Sequence, residues 1–267
     1  ISGFPCDYDE IMNCIKKHSS IFKPSNEKQK KLGRILIAAD SAHSFGAEYK
    51  NKRSGSFTDV SCFSFHAVKN LTTSEGGAVC FNLPDAFDHE EIYREFVTIT
   101  LHGQSKDALA KTKKGAWKYD VVAPGYKCNM TDIQAAMGLV ELDRYAENLV
   151  RRQEIFYAYD SAFSKIDWAS LPAHQTRDKV SSHHLYLLRI KDISEAQRDA
   201  IIQEIFDQGV SVNVHFQPLP LLTAYKNLGY EIKDFPIAHQ KYQTEITLPV
   251  YYNLNDTQVA EVINAVV

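Results

Sequence analysis

One lysine in this sequence sits among residues that would change its chemistry. Lys69 lies in "CFSFHAVKNLTTSEGGAVCF", after Phe63, Phe65, Ala67 and Val68 and before a Thr-Thr-Ser-Glu-Gly-Gly turn that leads into another apolar run. An amine attacks a carbonyl carbon only when deprotonated, and desolvation among apolar neighbours lowers its pKa toward that state. An isolated lysine in such a place is more often one whose stem packs while its ammonium reaches water. Two other residues weigh against that plain reading. Asp40 ends the apolar run "GRILIAAD", and strand ends are where α/β proteins place ligand-contacting groups. A carboxylate there is what a pyridine ring requires opposite its nitrogen to hold a positive charge. Ser64 precedes Lys69 in a segment that must turn, so its hydroxyl can reach a phosphate. Taken singly, Asp40 is also a candidate turn or helix cap, and Ser64 an ordinary serine.

Such a set needs strands and helices to hold it. "DYDEIMNCIKKHSS" places Ile11, Met12 and Ile15 at helical spacing behind Asp7 as a cap. "GRILIAAD" reads as a strand buried on both faces, and "DVSCFSF" and "GGAVCFNL" as two further strands flanking the lysine turn. "PDAFDHEEIYREFVTIT" returns to helical spacing after a Pro and Asp start, completing an α/β layer. The polar, lysine-rich stretch from Leu101 to Pro124, with an isolated Trp117, reads as a long surface loop. From Thr131 and Asp132 a helical pattern runs past Tyr157. "HHLYLLRI", "QRDAIIQEIFDQGVSVNVHF" and "LNDTQVAEVINAVV" then give strand, helix, strand and a last helix, a small α+β unit. The expected division is residues 1–149, part of a large α/β domain, and residues 150–267, a small C-terminal α+β domain.

Composition bounds the function. With 267 residues, 44% apolar and 24% charged, the chain can bury a real core. A net charge of −3 gives no basic footprint for nucleic acid. No apolar run approaches the length of a membrane span and no signal-peptide pattern opens the chain. The five cysteines, Cys6, Cys14, Cys62, Cys80 and Cys128, include no C-x-x-C pair. They read as reduced thiols of a cytoplasmic protein, with neither a disulfide framework nor a metal site.

"AADSAHSFGAEYKNKRSGSFTDVSCFSFHAVKNLTTSEGGAV" resembles the DegT-type family of sugar-nucleotide aminotransferases, and the likeness continues through "PGYKCNMTDIQAAMGLVEL" and "ITLPVYYNLND". The Asp-x-Ala-His-Ser and Ser-Phe-His-x-x-Lys-Asn pair carries it. The resemblance implies the fold-type I, pyridoxal 5'-phosphate-dependent architecture, with a large mixed-sheet α/β/α domain, N-terminally incomplete here, followed by a small α+β domain. It implies that Lys69 is the lysine that binds the cofactor covalently, that Asp40 pairs with the pyridine nitrogen, that His43 lies against the ring or its phenolic oxygen, and that Ser64 holds the phosphate. In this family the active site is shared across a homodimer, and a loop supplies a phosphate partner to the other subunit. Many members read Gly-Tyr-Asn-Tyr-Arg there, whereas this chain reads Gly125-Tyr126-Lys127-Cys128-Asn129. Asn129 is the assigned partner, because a Gly-Tyr-Lys-x-Asn version occurs in the branch that makes UDP-4-amino-4-deoxy-L-arabinose. His184 resembles a histidine near the sugar site, with a satisfied core histidine as the alternative. His215 and His102 are weaker candidates.

The reaction so implied moves an amino group from L-glutamate, which leaves as 2-oxoglutarate, to a nucleotide-linked 4-keto sugar for cell-surface polysaccharide or lipopolysaccharide. A sister branch with histidine in place of the lysine dehydrates sugars instead, so Lys69 favours transamination. The alternative is a catalytically silent or regulatory relative that binds a sugar nucleotide on the same fold. Family chains carry a further large segment before the equivalent of Ile1, including a Gly-Thr-type phosphate turn and an aromatic that stacks on the pyridine. The expectation is therefore a truncated chain.

Overall fold

A computed structural model describes residues 1–105 and 118–267. Trp117 and much of the loop expected from Leu101 to Pro124 lie outside them. Helix α1 (Tyr8–Lys17) starts where expected, with the Asp7 carboxylate accepting the amide of Glu10 at 3.4 Å. Asp9 and Glu10 in its first turn and Lys16 and Lys17 in its last complement the helix dipole. Helix α2 (Glu27–Leu32) stops at Gly33, whose φ of +71° costs a glycine little.

Strand β1 (Ala38–Asp40) is shorter than the run "GRILIAAD", and Ile35 and Leu36 ahead of it are exposed. Burial on both faces needs layers packed above and below the strand, whereas β1 itself is exposed or half-buried. Among the described residues β1 pairs on one edge only, parallel to β4 (Val60–Ser64), with Asp40 opposite Cys62. Between them β2 (Glu48–Tyr49) and β3 (Lys52–Arg53) form a small antiparallel pair. β4 continues antiparallel into β5 (Gly77–Phe81), Ser64 opposite Gly77, which completes a mixed sheet of order β1-β4-β5.

Helix α3 (His89–Thr100) begins four residues later than its Pro-Asp signal suggested. The amide of Phe87 first turns back to the Pro84 carbonyl, and Asp88 then caps the amides of Glu90 and Glu91. The helical pattern from Thr131 onward is two helices, α4 (Asp132–Asp143) and α5 (Tyr145–Phe163), parted at Arg144 where φ and ψ are −99° and 5°. Thr131 and Gln134 close a reciprocal capping box at the start of α4.

Downstream run β6 (Ala169–Ser170), β7 (Lys179–Val180), β8 (Tyr186–Ile190), α6 (Glu195–Asp207), α7 (Thr223–Asn227), α8 (Pro236–Gln243), β9 (Glu245–Leu248) and α9 (Asp256–Val266). β6, β8 and β9 form an antiparallel sheet. The stretch "GVSVNVHF", expected as a strand, contributes a single bridge, Asn213 to Thr247. Ile155, Tyr159 and Phe163, one turn apart along α5, pack with Tyr186, Leu188 and Ile190 of β8, Ile246 and Leu248 of β9, and Val259 and Val262 of α9. Full burial of each such side chain is worth about 1.5–3 kcal/mol. Strand β7 leaves this unit to pair with β2, Tyr49 opposite Lys179, which ties the two halves of the chain together.

Candidate active site

The lysine turn is a closed loop between β4 and β5. Phe65 donates its amide to the Gly76 carbonyl at 2.8 Å and accepts the amide of Thr73 at 2.9 Å; within the loop the Lys69 amide returns to the His66 carbonyl. A Cβ on Gly77 would stand 2.5 Å from the Phe63 carbonyl oxygen, so the strands approach too closely there for any other residue. Lys69 is held at the C-terminal end of β4, the same end of the sheet at which Asp40 closes β1.

A cleft of about 540 Å³ opens at this end, lined by His43, Lys69, Arg152, His184, His215, Phe216 and Tyr251 among others. Burial lowers the Lys69 amine below the ordinary lysine range, and the Asp40 carboxylate opposes that shift. Burial likewise pushes His43 down to about 4, with the Lys69 cation adding to the effect. Its Nδ1 accepts the amide of Ser2 at 3.2 Å, which leaves the ring proton on Nε2.

His43 meets His184 edge to face, the ring centres 4.3 Å apart. Burial pushes His184 down to about 2. Its Nδ1 lies 2.7 Å from Oδ1 of Asn70, whose amide donates in turn to the Ser182 carbonyl at 2.7 Å. That second bond fixes the amide orientation, so His184 donates from Nδ1 and keeps Nε2 as an acceptor. Asn148 donates to the Asn70 carbonyl, and Arg152 donates to Asn148 at 3.0 Å and to the carbonyls of His183, His184 and Val250. The two polar positions adjoining and behind the lysine, Asn70 and Arg152, are thus part of one buried network.

Of the residues singled out in the sequence, His43, Lys69, His184 and the weaker candidate His215 share the cleft. Asp40 stands close enough to act on both Lys69 and His43, and its Oδ1 also accepts the amide of Ala42 at 3.1 Å. Ser64 ends β4, its Oγ accepting the His66 amide at 3.3 Å. Asn129 is not brought to the cleft. It lies in a separate groove with Cys62, Gly76 and Met130, its Oδ1 bonded by Lys127. His102 is also elsewhere, its amide bonded to the Tyr126 carbonyl. Sequence reasoning missed Asn70, Arg152, Thr247 and Glu245; only Asn70 carried a local signal, its place directly after Lys69.

The donor set fits pyridoxal phosphate in kind: an amine of lowered pKa, a carboxylate at a neighbouring strand end, a neutral imidazole and a strand-end hydroxyl. The comparisons with known proteins agree in family. The chain is 34% identical over 269 residues to the spore coat polysaccharide biosynthesis protein SpsC of Bacillus subtilis, covering 99% of this chain and 63% of that protein. It is 31% identical over 254 residues to the UDP-4-amino-4,6-dideoxy-N-acetyl-beta-L-altrosamine transaminase of Campylobacter jejuni, covering 95% of this chain and 59% of the relative. Among solved structures it superposes on Spr1654 of Streptococcus pneumoniae, provisionally assigned as a sugar aminotransferase and solved in its PMP form, with a TM-score of 0.94 and 47% identity, covering all of this chain and 66% of that one. The chain thus spans less than two thirds of the length of these relatives. Residues 28–267 match the family model, and on that match the chain belongs to the DegT/DnrJ/EryC1/StrS aminotransferase family, with the fold-type I architecture.

Proposed function

We propose that this chain carries the lysine-bearing part of a pyridoxal phosphate-dependent aminotransferase that moves an amino group from L-glutamate to a nucleotide-linked 4-keto sugar, in a cytoplasmic pathway to a cell-surface polysaccharide. The observation that carries the reading is the meeting of Lys69, its amine held below the ordinary range, with three histidines in one cleft at the sheet end that bears Asp40. When bound, the cofactor supplies an electron sink for breaking a C–H bond next to an amine. Lys69 would hold it covalently and, as a free amine, would move a proton as general base and then acid, for which a lowered pKa suits it. Asp40 would hold the ring nitrogen, His43 would lie against the ring as a neutral imidazole, and Ser64 would hold the phosphate. His184, buried and neutral, offers Nε2 to a sugar hydroxyl. Asn129, exposed in its own groove, serves the cofactor phosphate of the other subunit in a homodimer with shared sites. The small domain, from about residue 150, closes the cleft with His184 and His215. The UDP-sugar activity of the Campylobacter jejuni relative supports the substrate class.

The test is the visible spectrum of the full-length protein with pyridoxal phosphate, wild type beside Lys69→Ala, before and after L-glutamate. A band of lysine-bound cofactor is expected in wild type only, with glutamate converting it to the amine form. A band that is identical in Lys69→Ala, or that glutamate leaves unchanged, overturns the reading and favours a catalytically silent relative.

A further inference from the structure

A buried carboxylate stands behind the cleft. Glu245, at the start of β9, is 4% exposed. Among the described residues its carboxylate makes no ion pair. The Arg198 guanidinium bonds its backbone carbonyl instead, at 3.2 Å, and Arg189 is its cross-strand neighbour. Oε2 accepts the backbone amide of His215 at 2.9 Å, and Oε1 lies 2.5 Å from Oγ1 of Thr247. The alternation of β9 puts Glu245 and Thr247 on one face, away from Ile246 and Leu248. Thr247 Oγ1 is in turn 2.8 Å from Nδ1 of His215, whose ring lines the cleft with Lys69. No hydrogen-bond partner takes Nε2 of His215 among the described residues, so Nε2 is the nitrogen left for a ligand.

We propose that Glu245 is a positioning residue for the cleft: through Thr247 it decides which ring nitrogen of His215 carries the proton, and so whether Nε2 donates to a ligand or accepts from it. A threonine hydroxyl has one proton, which makes the chain directional. With Glu245 ionised, Thr247 donates to Oε1 and accepts from Nδ1–H, leaving Nε2 a lone pair. With Glu245 protonated, Oε1–H donates to Thr247, Thr247 donates to Nδ1, and Nε2 bears the proton. Passing from the first state to the second takes up one proton at Nε2, while Nδ1 gives its proton to Oγ1 and Thr247 gives its own to Oε1. The imidazole stays neutral in both.

The electrostatics suit this exchange. Burial raises the Glu245 carboxyl to about 7, against the opposing pull of Thr247, the His215 amide, Arg198 and Arg189. Burial and the Lys69 cation lower His215, and His43 and His184 are the other ionisable rings facing it. Both effects on His215 favour the neutral ring that the relay requires. What a substrate would meet at Nε2 rests on the function proposed above, since that reading places the substrate in the cleft that His215 lines. The relay itself is measurable without that function.

Nitrogen-15 correlation spectra of the imidazole rings in the full-length protein, without substrate, test it, with His215 assigned by the loss of its signals in His215→Gln. The wild type should pass from Nε2–H to Nδ1–H with rising pH, with a midpoint near 7. Glu245→Gln should hold Nε2–H throughout, because the amide oxygen keeps the His215 amide and the amide nitrogen faces Thr247. Thr247→Ser should retain the change and Thr247→Val lose it. A His215 tautomer that does not change with pH, or changes identically in Glu245→Gln, overturns the proposal. A normal relay in a protein that fails the glutamate spectrum would overturn only the catalytic reading.

Discussion

Nδ1 of His184 lies 2.7 Å from Oδ1 of Asn70, the residue that follows Lys69, so one buried hydrogen bond joins the lysine turn to the approach to β8. The same Asn70 side chain holds the Ser182 carbonyl. Asn70→Ala strands a histidine N–H and a carbonyl in the interior, and an unsatisfied buried group costs about 1–3 kcal/mol. A urea midpoint lowered accordingly is expected, together with weaker retention of pyridoxal phosphate on dialysis. Unchanged stability and retention would show that the pair does not brace the lysine.

The lysine itself should betray its surroundings without any cofactor. Burial lowers its pKa and the Asp40 carboxylate pulls the other way, so Asp40→Asn should lower it further. Mass spectrometry of the full-length protein after brief acylation across a pH series reads this directly. Lys69 should modify at lower pH than the exposed lysines, and at lower pH still in Asp40→Asn. A Lys69 profile that coincides with those of surface lysines would remove the basis for its nucleophilic role.

Arg152 offers a test of the network behind the cleft. It is 6% exposed, and it ties the carbonyls of His183, His184 and Val250 to Asn148, with no carboxylate partner among the described residues. Lysine keeps the charge but cannot span those acceptors with one ammonium. Arg152→Lys should cost on the order of 3 kcal/mol in urea unfolding, the scale of hydrogen bonds to a charged group. A loss below about 1 kcal/mol would mean that water replaces the fork.

What the sequence disclosed and what it withheld follows from distance along the chain. The Asp7 and Thr131 caps and the turn around Lys69 were legible because each rests on residues a few positions apart. Asp40 and Lys69 were legible as chemistry, one ending an apolar run and the other following one. Glu245 was not, because its meaning comes from His215, thirty residues away, and from burial under β8 and α6. The apolar period continues across Arg144 and so hides the break there, and the period of "GRILIAAD" says nothing about which strands lie alongside it.

The buried histidines and Glu245 set opposite pH dependences. Burial pushes His43 and His183 down to about 4 and His184 to about 2, so the folded chain binds fewer protons than the unfolded one below the ordinary value of 6.5. Their contribution is complete above 6.5 and is lost as pH falls, down through 4 for His43 and His183 and on to about 2 for His184. Glu245 runs the other way: with its folded value near 7 and its ordinary value at 4.5, its contribution is complete below 4.5 and is lost as pH rises through 7. With His215 also lowered, the histidines outnumber the one carboxyl, so Tm should fall between pH 6.5 and 4.5, and fall more steeply in Glu245→Gln, which lacks the compensating carboxyl. Thermal scans of both proteins across that range check the sign. A wild-type Tm that rises toward pH 4.5, or a Glu245→Gln curve parallel to it, would show that these groups do not titrate as their burial requires.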